Sequence, residues 1–248
     1  MNRHTETIQI NSYQTNHFAE ATIPSVMNFL LEAAWAHAQK LEWGYDLLQK
    51  NHMFWVLSRF YVEIKQLPKW QQQVKLNTWS AGTDGMYAYR EFVLQNEEGE
   101  TILTANSAWL ILNTETKKIV LLRDHKETFP RFNGEGVCRE PKRLRFKKSD
   151  AELQFNPVVY SDIDVNHHFN SVKALERVLD EYGINFQDEF EPASVEINYL
   201  KEGLPGDNLA VTRNAVGDNK FQSAIIRESD SAELSTFEIE WRKKATTF

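Results

Sequence analysis

The stretch Tyr160-Ser161-Asp162-Ile163-Asp164-Val165-Asn166-His167-His168-Phe169-Asn170 lies between a strand-like run and a helix-like run. It brings two aspartates, two asparagines and two histidines together within a few residues. Polar groups buried without hydrogen-bond partners each cost free energy, so this composition does not suit a core. The stretch is therefore either a solvated cap before a helix or a built site, and its surroundings decide between the two interpretations.

The residues around this stretch predict a strand, a helix and a sheet, in that order. A strand is predicted over 153–160 and a helix from Asn170 to Gly183, because apolar residues recur at helical spacing and glycine commonly ends a helix. Four further strands are predicted near 193–202, 207–215, 219–228 and 233–242.

The first half of the chain repeats this order. A strand is predicted over 6–13, and a long amphipathic helix runs from Thr22 and Pro24 to about Gly44. A short helix over 45–50 precedes strands predicted over 54–64, 74–78, 87–95 and 101–112. We therefore expect an internal duplication of class α+β, in which each half is an antiparallel sheet wrapped around a long helix.

The predicted domain boundaries follow from this repeat. Residues 1–125 form the N-terminal half, 126–150 form a linker with little periodicity, and 151–248 form the C-terminal half.

Composition excludes several classes of function. The net charge of −7 argues against nucleic-acid binding, which depends on a basic surface. No apolar run approaches the roughly 20 residues of a membrane span, and the polar N-terminus has no signal-peptide pattern. The absence of an N-terminal extension favours a bacterial cytoplasm. The single cysteine, Cys138, excludes an internal disulfide and a multi-cysteine zinc site.

The two halves differ at the polar stretch. We align Tyr13 with Tyr160, and Leu67-Pro68 with Leu204-Pro205, to find the matching positions in the first half. The residues opposite Asp164, Asn166, His168 and Glu202 are then His17, Ala19, Ala21 and Lys65. A purely structural cap is expected in both halves, so this asymmetry favours one functional site per chain, built by the second half.

Asp164, Asn166 and His168 occupy alternate positions, which in an extended segment point to the same side. Asp164 can hold an imidazole in one tautomer. Asn166 can donate to an oxyanion, and His168 can exchange a proton near neutral pH. Glu202 is the best candidate for the base that this set still needs, because it ends an apolar strand beside Gly203.

Plainer interpretations account for the neighbouring residues. Asp162 and Asn170 are typical caps of helices or turns, and His167 is expected to be solvated. A calcium loop is excluded because His167 and Lys173 stand where such a loop needs glycine and glutamate. No second metal-spaced pair supports a zinc site.

The stretch Asp162–Asn170 closely resembles the Asp-Leu-Asp-Val-Asn-x-His-Val-Asn motif of the acyl-ACP thioesterases of plants and bacteria. Met27–Ala34 resembles the first-helix motif of that family, and Phe54–Arg59 resembles the strand that follows. Further stretches match in family order over most of the chain, namely Val74–Trp79, Gly85-Met86 and Ser107–Trp109.

This resemblance implies a tandem double hotdog fold and hydrolysis of fatty acyl thioesters carried on the phosphopantetheine of acyl carrier protein. The residues that match catalytic positions of the family are Asp164, Asn166, His168 and Glu202. Gly203 stands where family members often have cysteine, which favours a water nucleophile. No metal or cofactor is needed, because a thioester is already a reactive acyl donor.

The mechanism expected on this basis assigns Glu202 as the base that activates or positions water. Asn166 stabilises the oxyanion, His168 positions the water or protonates the leaving thiolate, and Asp164 orients His168. A His168 base supported by Asp164 is the alternative assignment.

Two further sets of residues are expected to hold the substrate. The acyl chain is expected in an apolar tunnel of the first half, whose candidate lining residues, each of which also suits a core, are Met27, Leu30, Ala34, Trp79 and Trp109. Acidic carrier protein needs a local basic patch, and the candidates, which also suit a solvated linker, are Lys142, Arg143, Arg145, Lys147 and Lys148.

Three alternative functions stay open at this point. The same site chemistry would serve an acyl-CoA thioesterase of the hotdog superfamily or, less well, a dehydratase. A non-enzymatic acyl-binding protein would need the pocket without the polar set. The oligomeric state is also open, a homodimer being one alternative to a monomer.

Overall fold

A computed structural model describes residues 3–125, 127, 129–134, 136–147 and 152–245. The chain divides into two compact units, Met1–Pro141 and Lys142–Phe248. The division falls inside the segment 126–150, which the sequence analysis predicts to be a linker. Among the described residues, no helix is both long and apolar enough to cross a lipid bilayer.

The first unit consists of one long helix and an antiparallel sheet. Its helices are α1 (Ile23–Lys40) and α2 (Tyr45–Lys50). Its strands are β1 (His4–Gln9), β2 (Met53–Ile64), β3 (Gln73–Thr83), β4 (Ala88–Gln95), β5 (Thr101–Asn113) and β6 (Ile119–Val120). The strands are ordered β1-β3-β4-β5-β2, and β6 pairs with the end of β5.

Helix α1 forms where the sequence analysis predicts it, because its start and its apolar face are both encoded locally. Thr22 caps the helix, its Oγ1 accepting from the Ser25 N–H at 3.2 Å, and Pro24 lies in the first turn. The residues of its buried face include Val26, Met27, Leu30, Ala33 and Ala34, and this face packs on β3. The core of the unit therefore lies between α1 and the sheet.

The second unit repeats this plan. Its helices are α3 (Ser171–Asp180) and α4 (Ile184–Glu189). Its strands are β7 (Asn156–Pro157), β8 (Phe190–Tyr199), β9 (Asn208–Gly217), β10 (Lys220–Arg227) and β11 (Glu233–Lys243), in the order β8-β11-β10-β9-β7. Asn170 caps α3 by accepting from the Val172 N–H at 2.7 Å, as predicted, and α3 packs on β10.

The strand predicted over 153–160 is wrong for most of its length. Only β7 pairs, at the edge of the sheet, where Pro157 has no N–H to donate. Residues Tyr160–Asp162 form a 3-10 turn instead. Helix α4 was not predicted, because six residues are too few to show a helical period.

A cluster of charges on the second sheet joins Glu238 on β11 to two lysines. The Glu238 carboxylate lies 2.9 Å from Nζ of Lys142 and 3.0 Å from Nζ of Lys220, and it accepts from Gln222 Nε2 at 2.9 Å. Burial acts to raise the pKa of Glu238, but these three donors outweigh it and hold the pKa at about 2. The ionised carboxylate therefore stabilises the folded unit.

This cluster predicts how stability depends on pH. The pKa of Glu238 is depressed from about 4.5 to about 2 on folding, so its contribution is present above pH 4.5 and is lost as pH falls through 2. Glu238→Gln should lower the free energy of unfolding by about 2 kcal/mol at neutral pH, a value discounted for solvent screening. Denaturant melts at several pH values measure the difference.

Glu240→Gln is the matched control, because that carboxylate is half exposed and lies 3.6 Å from Lys220. Its effect should stay within about 0.5 kcal/mol. A difference between wild type and Glu238→Gln that stays constant down to acidic pH would contradict the assignment.

Candidate active site

The polar stretch folds into a tight loop, not into the extended segment that the sequence analysis assumes. Ile163 and Phe169 form an antiparallel bridge at its base. The Asp164 N–H donates to the His168 carbonyl at 2.9 Å, and His167 has a left-handed backbone with φ of 61°. The alternate-position argument is therefore wrong, and the loop geometry decides where each side chain lies.

The Asp164 carboxylate organises this loop. Its Oδ1 accepts from the backbone N–H of Asn166 at 2.8 Å and from that of His168 at 3.2 Å. Among the described residues, the carboxylate makes no hydrogen bond to the His168 ring. The structure thus supports a loop-shaping contact for Asp164 and not the expected contact that orients the imidazole.

The first unit contains the same loop with different side chains. Asn16 accepts there from the backbone N–H groups of Phe18 at 2.9 Å and Glu20 at 3.0 Å. Its own N–H donates to the Glu20 carbonyl at 2.8 Å, and Ala19 is left-handed with φ of 59°. The backbone hydrogen bonds therefore match those of the second unit one for one.

These matched hydrogen bonds correct the alignment of the two halves. Asn16, Phe18 and Glu20 are the partners of Asp164, Asn166 and His168, one residue earlier than the alignment on Tyr13 and Tyr160 places them. The alignment also shifts in the segment that follows β2. The Ala21 N–H donates to the Pro68 carbonyl at 2.8 Å, and the Phe169 N–H donates to the Gly203 carbonyl at the same distance.

Pro68 thus corresponds to Gly203, and Leu67 corresponds to Glu202. The halves share the loop-shaping oxygen, because Asn16 does in one what Asp164 does in the other. They differ at the positions of Asn166, His168 and Glu202. The asymmetry that indicates one functional site per chain therefore rests on three residues rather than four.

The loop brings His168 to Glu202. Nε2 of His168 lies 3.3 Å from Oε2 of Glu202, and both side chains are partly exposed, at 25% and 41%. An imidazole and a carboxylate at this separation can share a proton and can both contact a bound water. The pair is accessible to a substrate without any rearrangement of the loop.

Close packing at Gly203 sets this arrangement. A Cβ added at Gly203 would lie 2.9 Å from Cβ of Phe169 and 3.2 Å from Cδ1 of Leu234. The position that often holds cysteine in the family therefore has no room for a side chain here. Glycine lets the loop approach the end of the strand closely enough for the His168–Glu202 contact.

Two arginines that the sequence analysis did not identify brace the two sides of the site. Arg177 on α3 lies 2.6 Å from the Asp162 carboxylate, with its guanidinium 4.9 Å from the Phe169 ring centroid. Arg227 donates to the Glu202 carbonyl at 3.3 Å and lies 3.2 Å from Asp207. No local sequence signal connects either arginine to the polar stretch, since both contacts depend on the folded sheet.

The Asn166 side chain makes no hydrogen bond to His168 or Glu202. Its side chain is exposed and makes no hydrogen bond to a described residue. It is therefore available to a ligand, as the expected oxyanion contact requires. No group of three or more His, Cys, Asp or Glu side chains that could hold a metal ion occurs among the described residues.

Two family descriptions match the chain. The acyl-ACP thioesterase N-terminal domain matches residues 1–127, and the acyl-ACP thioesterase C-terminal domain matches residues 146–243. The chain belongs to the acyl-ACP thioesterase family. The family resemblance inferred from the motifs is thereby confirmed.

Similar proteins include chloroplastic enzymes of plants. Oleoyl-acyl carrier protein thioesterase 1 of Arabidopsis thaliana is 23% identical over an alignment of 279 positions, gaps included. The alignment covers 98% of this chain and 76% of that protein. Palmitoyl-acyl carrier protein thioesterase of Gossypium hirsutum is 26% identical over 266 residues, which cover 96% of this chain and 63% of that protein. The chain thus spans less than two thirds of the second relative.

Solved structures of acyl-ACP thioesterases share the fold. The acyl-ACP thioesterase of Bacteroides thetaiotaomicron matches with a TM-score of 0.90 at 23% identity, over 97% of this chain and 98% of that one. The 12:0-ACP thioesterase of Umbellularia californica matches with a TM-score of 0.87 at 22% identity, over 98% of each chain. The predicted tandem double hotdog, of class α+β, is confirmed.

In this member of the acyl-ACP thioesterase family, a cavity open to solvent lies within the first unit. Its lining is mostly aromatic and aliphatic: Ala34, Trp35, Ala38, Leu41, Trp43, Trp55, Ser80, Ala88, Tyr89, Arg90, Trp109, Phe129 and Pro130. Of the expected tunnel residues, Ala34 and Trp109 belong to this lining. Met27, Leu30 and Trp79 are buried residues that do not.

The segment expected to bind the carrier lies along the second sheet. The Lys142 N–H donates to Glu196 at 2.6 Å, and the Leu144 N–H donates to Asn198 at 2.8 Å. These bonds hold the segment extended, with Leu144 buried. Lys142 is also engaged with Glu238 through its ammonium group.

The remaining cations of this segment alternate with its inward side chains. Arg143, Arg145 and Lys147 are exposed, and their side chains make no ion pair with a described residue. Lys148 lies outside the described residues. The segment therefore presents three cations on one side.

We predict that Asp164→Asn keeps the loop, because Asn16 makes the same two bonds in the first unit, whereas Asp164→Ala loses them. The alanine variant should be less stable by about 1 kcal/mol, as for the loss of a helix cap. Thermal unfolding measures this, with the exposed Val165→Ala as a neutral control. Equal destabilisation by Asn and Ala would rule out loop shaping as the role of Asp164.

We also predict that Gly203→Ala lowers stability by about 1–3 kcal/mol through overpacking against Phe169. Turnover should fall as well, because the loop carrying His168 must move away from Glu202. Gly217→Ala is the control, since an added Cβ there meets only an ordinary contact, at 3.4 Å from Lys220. A Gly203→Ala protein as active and as stable as wild type would refute the close-packing argument.

Proposed function

We propose that this chain hydrolyses the thioester that joins a fatty acyl group to the phosphopantetheine of acyl carrier protein. The products are the free fatty acid and the carrier thiol. The observation that carries the proposal is the 3.3 Å approach of His168 Nε2 to Glu202 Oε2 in a member of the acyl-ACP thioesterase family. The enzyme class is that of thiolester hydrolases.

Glu202 acts in this proposal as the general base. Its carboxylate takes a proton from a water that attacks the thioester carbonyl carbon, which creates a tetrahedral oxyanion. Collapse of this intermediate breaks the carbon–sulfur bond and expels a thiolate. His168 positions the water, takes over the proton from Glu202 across the 3.3 Å contact and delivers it to the thiolate. Glu202 and His168 thereby return to their starting states, and the carboxylic acid product loses its own proton to solvent. The cycle ends with all protons accounted for and no covalent enzyme adduct.

Asn166 and Asp164 have different roles in this mechanism. The free side-chain amide of Asn166 donates to the oxyanion, a type of contact that contributes about 3–4 kcal/mol in hydrolases. Asp164 holds the backbone of the loop and does not touch the reacting atoms. Loss of Asp164 would therefore act on turnover through the position of His168.

The nucleophile in this proposal is water. Gly203 offers no thiol at the position where family members often have cysteine. The single thiol of the chain, Cys138, is in the first unit, where burial raises its pKa to about 12. A thiol with that pKa is protonated at neutral pH and is a poor nucleophile.

We assign the acyl chain to the cavity of the first unit and the chemistry to the second unit. The walls of this cavity are largely apolar, as an acyl chain requires. The first unit has Phe18, Glu20 and Leu67 where the second has Asn166, His168 and Glu202. It therefore lacks the reacting groups of the second unit.

The carrier is assigned to Arg143, Arg145 and Lys147, with Lys142 and Lys148 of the same segment as further candidates. Three exposed cations on one side suit the acidic surface of acyl carrier protein. Acyl-CoA as the alternative substrate would not need this surface.

Glu202→Gln and His168→Gln should each lower kcat by about 10²–10⁴-fold on acyl-ACP, because each removes a proton-transfer group. Both variants should fold normally, since neither side chain is buried. Release of free thiol from purified acyl-ACP measures turnover, with the exposed Glu152→Gln as the control. Wild-type turnover in the Glu202→Gln protein would overturn the assignment of the base.

Charge reversal at Arg143, Arg145 and Lys147 should raise KM for acyl-ACP by at least about tenfold and leave KM for acyl-CoA unchanged. The effect on acyl-ACP should shrink in high salt. Reversal of three exposed lysines elsewhere, Lys50, Lys75 and Lys118, is the matched control. An equal rise in KM for both substrates would show that acyl carrier protein does not bind through this surface.

A bacterial cytoplasm stays a prediction, and the choice between a monomer and a homodimer stays open. Cell fractionation checks the first and light scattering of the purified protein checks the second.

A further inference from the structure

The wall of the first-unit cavity contains a buried cation. Arg90 lies on β4 and is only 8% exposed. Its Nη1 donates to Nδ1 of His37 at 2.9 Å and to Oγ1 of Thr78 at 3.2 Å. Because arginine can only donate, the His37 ring accepts at Nδ1 and is neutral in this arrangement. The two hydrogens of Nη1 are therefore used within the protein.

The other side of the guanidinium has no partner among the described residues. No described acceptor bonds Nε or Nη2 of Arg90, and no described carboxylate lies within ion-pair distance. Burial lowers the pKa of Arg90 to about 10, so the group is still charged at neutral pH. Neither Nε nor Nη2 is among the fully buried side-chain atoms that lack a partner, and Arg90 lines the cavity. Their three N–H groups can therefore donate to water or to a ligand oxygen.

Three other polar side chains of the wall have their partners, whereas no described residue accepts from the indole N–H of Trp35 or Trp43. The Tyr89 hydroxyl donates to Asp84 at 3.0 Å, and the Ser80 hydroxyl donates to the Pro130 carbonyl. The indole of Trp109 donates to Ser107 at 2.8 Å. Among the lining residues, Arg90 is therefore the charged donor available to a ligand, and the indoles of Trp35 and Trp43 are neutral donors.

The groups behind Arg90 place no described carboxylate within ion-pair distance of its guanidinium. The His4 ring stacks on His37 with centroids 5.9 Å apart, and Nζ of Lys40 lies 3.0 Å from Nδ1 of His4. The carboxylate in this chain of contacts, Glu6, lies 3.6 Å from His4 and pairs with it. The local field at Arg90 thus favours a ligand atom with negative or partly negative charge.

We propose that this cavity selects acyl chains that carry an oxygen substituent, a hydroxyl, keto or carboxyl group, which accepts hydrogen bonds from Nε and Nη2 of Arg90. This inference rests on the proposed function, in that it names the class of acyl group taken by the same cavity. An unsubstituted chain in contact with Arg90 would displace water from the guanidinium and offer it no hydrogen-bond acceptor. Arg90 is then a specificity-determining residue and takes no part in the chemistry.

Binding tests the proposal without any turnover. Trp35, Trp43, Trp55 and Trp109 line the cavity, so their fluorescence reports a ligand directly. The probes are methyl decanoate, its hydroxylated forms with the hydroxyl near the ester, at mid-chain or at the far end, and the monomethyl ester of the matching dicarboxylic acid. At least one oxygenated probe should bind about tenfold or more tightly than methyl decanoate, as expected for a hydrogen bond to a charged donor.

Arg90→Met should abolish this preference by weakening the oxygenated probes and strengthening methyl decanoate. Arg90→Lys, which keeps a cation but loses the fork of donors, should keep part of it. Thermal unfolding shows whether each variant is folded. If Arg90→Met does not fold, the wild-type comparison still decides, because equal or weaker binding of every oxygenated probe overturns the proposal. A preference that survives in folded Arg90→Met overturns it as well.

A turnover experiment separates this inference from the proposed function. Decanoyl-ACP and its oxygenated counterparts are compared on wild type. Hydrolysis that favours the unsubstituted chain would refute the selection and leave the proposed function intact. Selective binding of oxygenated probes with no hydrolysis of any thioester would refute the proposed function and leave the selection intact.

Discussion

The hydrogen bond from the Phe169 N–H to the Gly203 carbonyl is the constraint on which the candidate site depends. It ties the loop 163–169 to the segment that follows β8, at 2.8 Å, and the missing side chain of Gly203 lets Phe169 pack against that segment. Glu202 is the residue before Gly203, and His168 is the residue before Phe169. The approach of the two side chains follows from a backbone bond and a glycine.

The same backbone bond occurs in the first unit without the amide, imidazole and carboxylate of the second. Ala21 and Pro68 make it there, around a loop shaped by Asn16 instead of Asp164. The two hotdogs thus have equivalent positions. The second unit has Asn166, His168 and Glu202 there, and the first has Phe18, Glu20 and Leu67. Fold and function are separable in this chain, because the atoms that hold the loop are not those assigned to the reaction.

Much of the fold could be predicted from the sequence, because the signals are local. Helix α1 has a cap, a proline and an apolar face, and most strands alternate or have turn residues at their ends. Boundaries in the second half were harder where pairing is limited to two residues, as in β7. The family motif indicated which residues to examine. Their geometry was not predictable, because the extended-segment assumption misses a loop closed by Asp164 and a left-handed His167.

The alignment of the halves failed for a related reason. Tyr13 with Tyr160 and the two Leu-Pro pairs look equivalent in sequence, but hydrogen bonding places the true partners one and two residues away. Arg90 shows a further limit. An arginine in a strand normally indicates a solvent-facing position, and only the folded unit reveals a buried guanidinium beside a cavity.

The central claim is that three side chains on a shared frame distinguish the catalytic unit from its partner. The most direct test converts those positions to their first-unit counterparts in one protein, Asn166→Phe, His168→Glu and Glu202→Leu, and measures hydrolysis of acyl-ACP. The account predicts a folded protein with no hydrolysis above background. Hydrolysis at a wild-type rate, or a variant that cannot fold because these side chains hold the loop, would contradict it.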